Sequence, residues 1–386
     1  MTAVHNISST WQTEVKRKAW GTIPTADNST ISSDLVAWQG VKSFMEKSVA
    51  AGSAFSSTVL STYSLIYTDG GPYSTAYAGG VLASNGDIHF VPLGAPVGQK
   101  ISLSGVVSTY SIITNNYYGG VLAPNGDIHF IPWGARVGQK ISYAGIVSTY
   151  SLAATFNVSN GGQYSGGVVA PNGDIHFIPF VAPAGQKINS ATLVGSTYSL
   201  LYTSNSAYFG GVLAPNGDIH FVPSKAQVGQ KINPVTMVVS TYSLVYTGPP
   251  SSFSAFYGGV LAPNGDIHFI PYYAAVGQKI SLSGVVSTYS IITSNYYGGV
   301  LSPNGDIHFI PYFAAVGQKL SSAGVVSTYT LVYTAVYGLS YNGGVLGLNG
   351  DIHLVPSRAA VGQKIHTLSA IPFDKALCLS PYLNKY

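Results

Sequence analysis

A seven-bladed β-propeller of four-stranded blades, all-β apart from a short non-repeating N-terminal segment, is the fold class this sequence predicts. Two observations carry the prediction. The string Asn-Gly-Asp-Ile-His recurs seven times, beginning at Asn85, Asn125, Asn172, Asn216, Asn264, Asn304 and Asn349. Its spacing of 40 to 48 residues is that of propeller blades. Around each copy, runs of Tyr, Val, Ile, Thr and Phe are interrupted by Gly and Pro at each boundary, a pattern that suits short strands and would break any helix.

Taken in order, each unit opens with a strand of the type Val-Val-Ser-Thr-Tyr-Ser. A segment of variable length follows, and then a second strand, Tyr-Gly-Gly-Val-Leu. The constant Asn-Gly pair joins it to a third strand, Asp-Ile-His-Phe-Ile-Pro. Such a pair between β-rich runs predicts a type I′ hairpin, whose two central residues both need positive φ. A short loop then leads to the fourth strand, Val-Gly-Gln-Lys-Ile. Units run from about Ser57 to Ile365, which divides the chain into an N-terminal anchoring or docking segment (1–56), the propeller (57–366) and a C-terminal extension (367–386) packed on the ring. Because the units begin and end in phase, no exchange of strands between first and last blades is expected.

Composition narrows the function. Charged residues are 8% of the chain and the net charge of +4 reflects a shortage of both signs. The longest basic run, Lys16, Arg17 and Lys18, is too short to follow a phosphate backbone, so nucleic acid is excluded as a partner. No stretch reaches the ~18 apolar residues of a membrane span, and none is expected. The first residues lack an apolar run behind a basic start, so export by a signal peptide is not expected. The single cysteine, Cys378, can form no internal disulfide.

Alternating strand direction puts the first-to-second and third-to-fourth connections on one face, and the Asn-Gly turns on the other. Both variable sets of segments therefore share a face. Their residues are Tyr, Trp, Phe, Ser, Asn and Gly, which combine rigid aromatic area with adaptable hydrogen bonding. The ligand-binding candidates are Tyr73, Tyr77, Tyr117, Tyr118, Trp133, Tyr164, Tyr208, Phe256, Tyr272, Tyr296, Tyr297 and Tyr337.

The constant Asp and His lie two apart on the third strand and share a side: Asp87 and His89, Asp127 and His129, Asp174 and His176, Asp218 and His220, Asp266 and His268, Asp306 and His308, Asp351 and His353. Two ligands per blade fall short of a tetrahedral set. A structural role is expected instead, with Asp capping the turn and an Asp–Lys or His–Tyr contact joining blades; no metal and no cofactor is expected. The only glutamates, Glu14 and Glu46, precede the repeat, and every repeated His has the same surroundings in sequence. With no residue breaking the symmetry to supply an acid, base or nucleophile, the expectation is that the protein is not an enzyme.

Residues 1–56 hold Trp11, Trp20 and Trp38. A helix is predicted from Ser33 to Gly52, with Leu35, Trp38, Met45 and Val49 on one stripe. The three Trp are the candidates for docking on a partner.

The run Gly-Gly-Val-Leu-Ala-Pro-Asn-Gly-Asp-Ile-His-Phe-Ile-Pro followed by Val-Gly-Gln-Lys resembles repeats of propeller-like structural proteins, of fibre or spike type, from bacteriophages and aquatic viruses. The resemblance covers residues 57 to 365. It implies a virion surface protein, a tail or capsid fibre or spike made in the host cytoplasm. Residues 1–56 would hold it to other virion proteins, and the variable face would bind a host surface glycan or receptor; self-association is a further expectation. A free lectin-like carbohydrate-binding propeller, with one sugar per blade, is the alternative. A third reading is an architectural virion protein with no ligand.

Overall fold

The computed structural model describes residues 58–68, 75–156, 162–248, 254–334 and 338–367. Trp11, Trp20, Trp38, Tyr73 and Tyr337 lie outside these residues, as do the helix expected from Ser33 and the extension from residue 368 onward. The described chain forms twenty-eight strands in seven antiparallel sheets of four. Strand β1 (Val59–Ser64) comes first. Blade one is β2 (Tyr77–Leu82), β3 (Ile88–Pro92), β4 (Val97–Ile101) and β5 (Val107–Ser111), in that order from the axis outward. Strands β6 to β25 repeat the arrangement through blades two to six, and β26 (Tyr341–Leu346), β27 (Ile352–Pro356) and β28 (Val361–His366) begin blade seven. Innermost strands of successive blades pack together all the way round, β26 meeting β2. The seven-bladed ring expected from the repeat is thus the observed fold.

The sequence unit and the blade are out of phase by one strand, which corrects one expectation. The Val-Ser-Thr-Tyr-Ser strand is the outermost of a blade, and the chain then crosses to the axis of the next. Consequently β1 is the fourth strand of blade seven, paired from Val59 opposite His366 to Ser64 opposite Val361. First and last blades do exchange a strand, and this closes the ring.

The inner strand explains the phase. In blade one, Gly79 has φ +79° and sits at a register shift between β2 and β3, a bulge that turns the strand at the crowded axis. A Cβ on Gly80 would lie 2.8 Å from Val345 and 3.1 Å from Val355 of blade seven. Only glycine lets adjacent blades converge here.

The Asn-Gly turn differs from expectation. The Gly86 N–H donates to the Ala83 carbonyl at 3.0 Å, and the Ala83 N–H donates to the Asp87 carbonyl at 2.7 Å. Gly86 has φ +91°, whereas Asn85 does not have positive φ. This is a type I turn closed by a left-handed glycine, which admits the Pro found before Asn in most copies. The Asn85 Oδ1 accepts the Asp87 N–H.

Two sets of hydrogen bonds tie each blade to the one before it. In the first, a fully buried Gln on the third strand accepts from the chain leaving the previous blade. The Gln99 Oε1 takes the Ile66 and Tyr67 N–H groups at 3.0 and 2.8 Å. Gln139, Gln186, Gln230, Gln278, Gln318 and Gln363 repeat the bond. In the second, the residue entering each inner strand donates its N–H to the carbonyl that follows the Pro of the previous blade. These bonds run from Ala76 to Ser357, Asn116 to Leu93, Gln163 to Trp133, Ala207 to Phe180, Ala255 to Ser224, Asn295 to Tyr272 and Ser340 to Tyr312, at 2.7 to 3.1 Å.

The repeated Asp, His and Lys act within a blade, not between blades as expected. Lys100 reaches Asp87 at 2.7 Å, and all seven blades have this pair at 2.6 to 2.8 Å. Tyr110 on the outer strand lies across Gly98, where a Cβ would meet its ring at 2.2 Å, and its hydroxyl meets the His89 Nδ1 at 3.2 Å. Strand neighbours are closer than neighbouring blades at this radius, so the contacts form inside the sheet.

Replacing Gln278 by Met leaves the Val245 and Tyr246 N–H groups without their buried acceptor, at a cost of about 1–3 kcal/mol for each such group. Chemical denaturation should therefore show a lower midpoint with an unchanged slope. A second expectation concerns acid. Burial holds the seven imidazoles down to about 4, about 3 for His129, against about 6.5 in an unfolded chain. Neutral His therefore supports the fold fully above pH 6.5, and that support is lost as pH falls through about 4, because the unfolded chain binds protons first. The thermal midpoint should decline across this interval. In His308→Gln the decline should be shallower by about one seventh.

Candidate functional site

Two side-chain positions per blade converge on the axis at the variable face. One is the second residue of the inner strand: Ala78, Tyr118, Ser165, Phe209, Tyr257, Tyr297 and Asn342. The other is the residue after the Pro of the second strand: Leu93, Trp133, Phe180, Ser224, Tyr272, Tyr312 and Ser357. The latter supply the carbonyls of the inter-blade belt, so their backbone is fixed while their side chains can differ.

They differ in a way that breaks the ring's symmetry. Blades two to six build a continuous aromatic cluster. Trp133 packs on Tyr118 and Phe180 at 5.0 and 4.8 Å between centroids. Phe209 stacks on Tyr257 at 4.0 Å, Tyr257 on Tyr272 at 4.3 Å, and Tyr297 meets Tyr312 at 4.1 Å. Tyr118 of blade two touches Tyr297 of blade six, and its hydroxyl donates to the Asn342 Oδ1 of blade seven at 2.6 Å. Contacts between blades so far apart in the ring are possible only at its axis. The next loop position adds Tyr273 and Phe313, 37% and 42% exposed, each packed edge-on against its neighbour. Trp133 covers Gly162 and Phe313 covers Gly338, where a Cβ would clash.

The remaining arc, from blades seven and one, is small and polar: Ser340, Asn342, Ser357, Arg358 and Thr75 beside Ala76 and Ala78. The Ser357 hydroxyl donates to the Thr75 hydroxyl. Burial pushes the Tyr118 and Tyr297 hydroxyls well above the usual phenol range, so both stay protonated donors. Burial also raises Tyr312, and the Arg358 guanidinium partly counters it. All seven described Asp pair with Lys at the opposite face; Arg136, Lys225 and Arg358 are the further cations among the described residues and lie in variable-face loops. The axis at the variable face thus holds a packed aromatic cluster that reaches the surface at Trp133, Tyr273 and Phe313, with a buried arc of hydroxyl and amide groups beside it and cations in the loops of the same face.

Of the residues expected from sequence to bind a ligand, Tyr118, Trp133, Tyr272 and Tyr297 meet here. Tyr77, Tyr117, Tyr164, Tyr208, Phe256 and Tyr296 do not, since each is fully buried. Their rings pack on the second-strand Phe at 5.5 to 5.9 Å. The tyrosine hydroxyls at 77, 117, 208 and 296 donate to the first carbonyl of the third strand. Alternation along a strand is the reason: one residue of each Tyr-Tyr or Tyr-Phe pair faces the axis, the other the interior. Phe180, Phe209, Tyr257, Tyr273, Tyr312, Phe313, Asn342 and Arg358 were missed, although five of them, Phe180, Tyr273, Tyr312, Phe313 and Arg358, stand in the same set of connections as Trp133 and Tyr272. Among the described residues no group of three or more His, Cys, Asp or Glu comes together, and no helix is long and apolar enough to cross a membrane.

No protein-family model matches the chain, and no curated protein matches it. Solved structures do. A streptogramin B lyase is 18% identical with a TM-score of 0.67, covering 80% of this chain and 97% of its own. Virginiamycin B lyase from Staphylococcus aureus is 17% identical with a TM-score of 0.67, covering 81% and 100%. The WD40 propeller domain of Doa1 is 14% identical with a TM-score of 0.61, covering 81% and 98%. At such identities the likeness is one of fold. It nevertheless overturns the expectation that this protein is not an enzyme, because a ring of this architecture carries lyases. The argument from symmetry fails too, since the axial mouth breaks the symmetry that the blades keep.

Replacing Tyr118 by Phe removes the donor to the buried Asn342 amide oxygen. Unfolding should become easier by about 1–3 kcal/mol, read by chemical denaturation, with the fold unchanged by circular dichroism.

Proposed function

We propose that the axial mouth is a single recognition site for a saccharide residue of a host surface glycan, in a protein that is a virion surface component. The observation that carries the reading is the divided axis: exposed Tyr273 and Phe313 and half-buried Trp133 on one side, and half-buried Arg358 with the buried Asn342 and Ser357 on the other. Saccharide rings have an apolar C–H face and a rim of hydroxyls, and concave sites with aromatic walls and a few placed polar groups suit such ligands. One sugar in every blade is disfavoured, because the side chains at the mouth differ from blade to blade. The virion setting rests on the resemblance of the repeat to viral fibre and spike proteins. In that setting the region before the ring, within residues 1–56, supplies the attachment to other virion proteins, and the chain is made in the host cytoplasm.

A second reading, chemical turnover of the bound molecule, is favoured by the likeness of the ring to the streptogramin B and virginiamycin B lyases.

The test is a glycan array with the whole chain, followed by titration of any hit. Trp133→Ala and Tyr273→Ala should each weaken binding at least ten-fold, the scale of an interface anchor, and chromatography of the incubated glycan distinguishes recognition alone, which returns it intact, from turnover. Conversion of the glycan would favour turnover. Retention of full affinity in both variants would remove the axial site, and absence of the protein from purified particles would remove the virion setting.

A further inference from the structure

The opposite face carries repeated apolar loop tips, as the far ends of the outer strands also do at Ile66, Ile113, Leu201, Val245, Ile292 and Val332. In blades one to six the third strand turns into the outer strand through a short loop. In blade one this runs from Ser102 to Val106, closed by the Gly105 N–H to the Ser102 carbonyl at 2.8 Å. These six loops contain no charged residue. They nonetheless expose large apolar side chains: Leu103, Val106, Tyr143, Ile146, Leu282 and Val285 are 51 to 72% exposed. Single exposed apolar residues need no explanation, but apolar tips repeated around one face mark a surface meant to be covered.

The ring of tips is interrupted only at blade seven, where β28 and β1 replace the loop with chain ends. His366 pairs with Val59 at that edge, bonds the Ser61 hydroxyl at 2.8 Å and meets Asp351 at 3.0 Å. Residues 1–57 therefore join the ring at the gap in the apolar tips, on the same face. Within them the stripe of Leu35, Trp38, Met45 and Val49 recurs at helical spacing, and a helix from 34 to 49 would reach ~24 Å. Eight residues, 51 to 58, lie between residue 50 and β1, and such a link spans at most about 28 Å.

We propose that residues 34 to 49 fold back on their own ring and lay this stripe against the apolar loop tips, as an intramolecular cover. Residues 1 to 33, with Trp11 and Trp20, then remain for a partner. The proposal does not depend on what the axial mouth binds, since it concerns the other face.

The experiment places a photo-reactive benzoylphenylalanine at Trp38 of the whole chain. Equal amounts of ordinary and 15N-labelled protein are mixed before illumination, and the cross-links are mapped by mass spectrometry. Adducts within one isotopic form to residues 102–106, 142–146 or 281–285 are expected. In parallel, Leu35→Asp combined with Trp38→Asp should raise binding of a hydrophobic dye several-fold, and Leu103→Asp with Leu282→Asp should reduce the adducts at those loops. Adducts joining the two isotopic forms would mean that a second copy covers the face. Adducts confined to the variable face, or dye binding unchanged by the Asp pair, would also overturn the proposal.

Discussion

Each blade gives a buried side-chain oxygen to the chain arriving from its neighbour, and the rest of the ring depends on that exchange. Glutamine is suited to the task. Its amide oxygen reaches two successive backbone N–H groups, as Gln278 does for Val245 and Tyr246. Asn would fall short, and Glu would bring a charge into a fully buried position. The clamp also explains why blade and sequence unit are offset. The N–H groups that Gln99 accepts belong to the segment just after β1, so β1 has to lie in the blade before it. Once that is so, the crossing to the axis, the glycine pair where blades converge and the pairing of first strand with last follow as one arrangement.

The two faces divide the work. On one, Asp, Lys and the Asn-Gly turns repeat with little change and hold the strand pairs in register. On the other, a belt of backbone hydrogen bonds joins the blades near the axis, and the side chains attached to that belt have diverged. Blade four can contribute Ser224 where blade five contributes Tyr272, because each needs only its carbonyl to keep the ring intact. Variation is cheapest where the scaffold asks nothing of the side chain. The aromatic floor and its polar arc lie there for that reason.

Much of this was legible in the chain. Seven Asn-Gly-Asp-Ile-His strings and the Gly and Pro around them point to the fold, and the alternation of strands locates the variable face. Other features depended on distances that periodicity does not carry. Tyr117 and Tyr118 are equivalent as letters, yet one is fully enclosed and the other reaches across the axis, because successive residues of a strand point opposite ways. The phase of the blade was hidden because a repeat has no natural starting point. The Asp–Lys and His–Tyr contacts were correctly paired by type, but their location inside a sheet needed the register of third strand against second. The roles of Asn342 and Arg358 depend on what each touches across the axis, which the repeat does not give even though both stand in its variable segments.

The pairing of β1 with β28 has a consequence for how the molecule is made. Ser61 and His366 are 305 residues apart, so the ring is closed by contacts with the greatest separation in the described chain. Such contacts form slowly, since the intervening loop must lose its entropy before they stabilise anything. During synthesis, β1 emerges before the other strands of the ring and its partner after them. An uncharged strand of Val, Ser, Thr and Tyr must therefore wait, with an open edge, while six blades assemble behind it. The same strand that completes the finished ring is the segment of the nascent chain most open to pairing with the wrong neighbour.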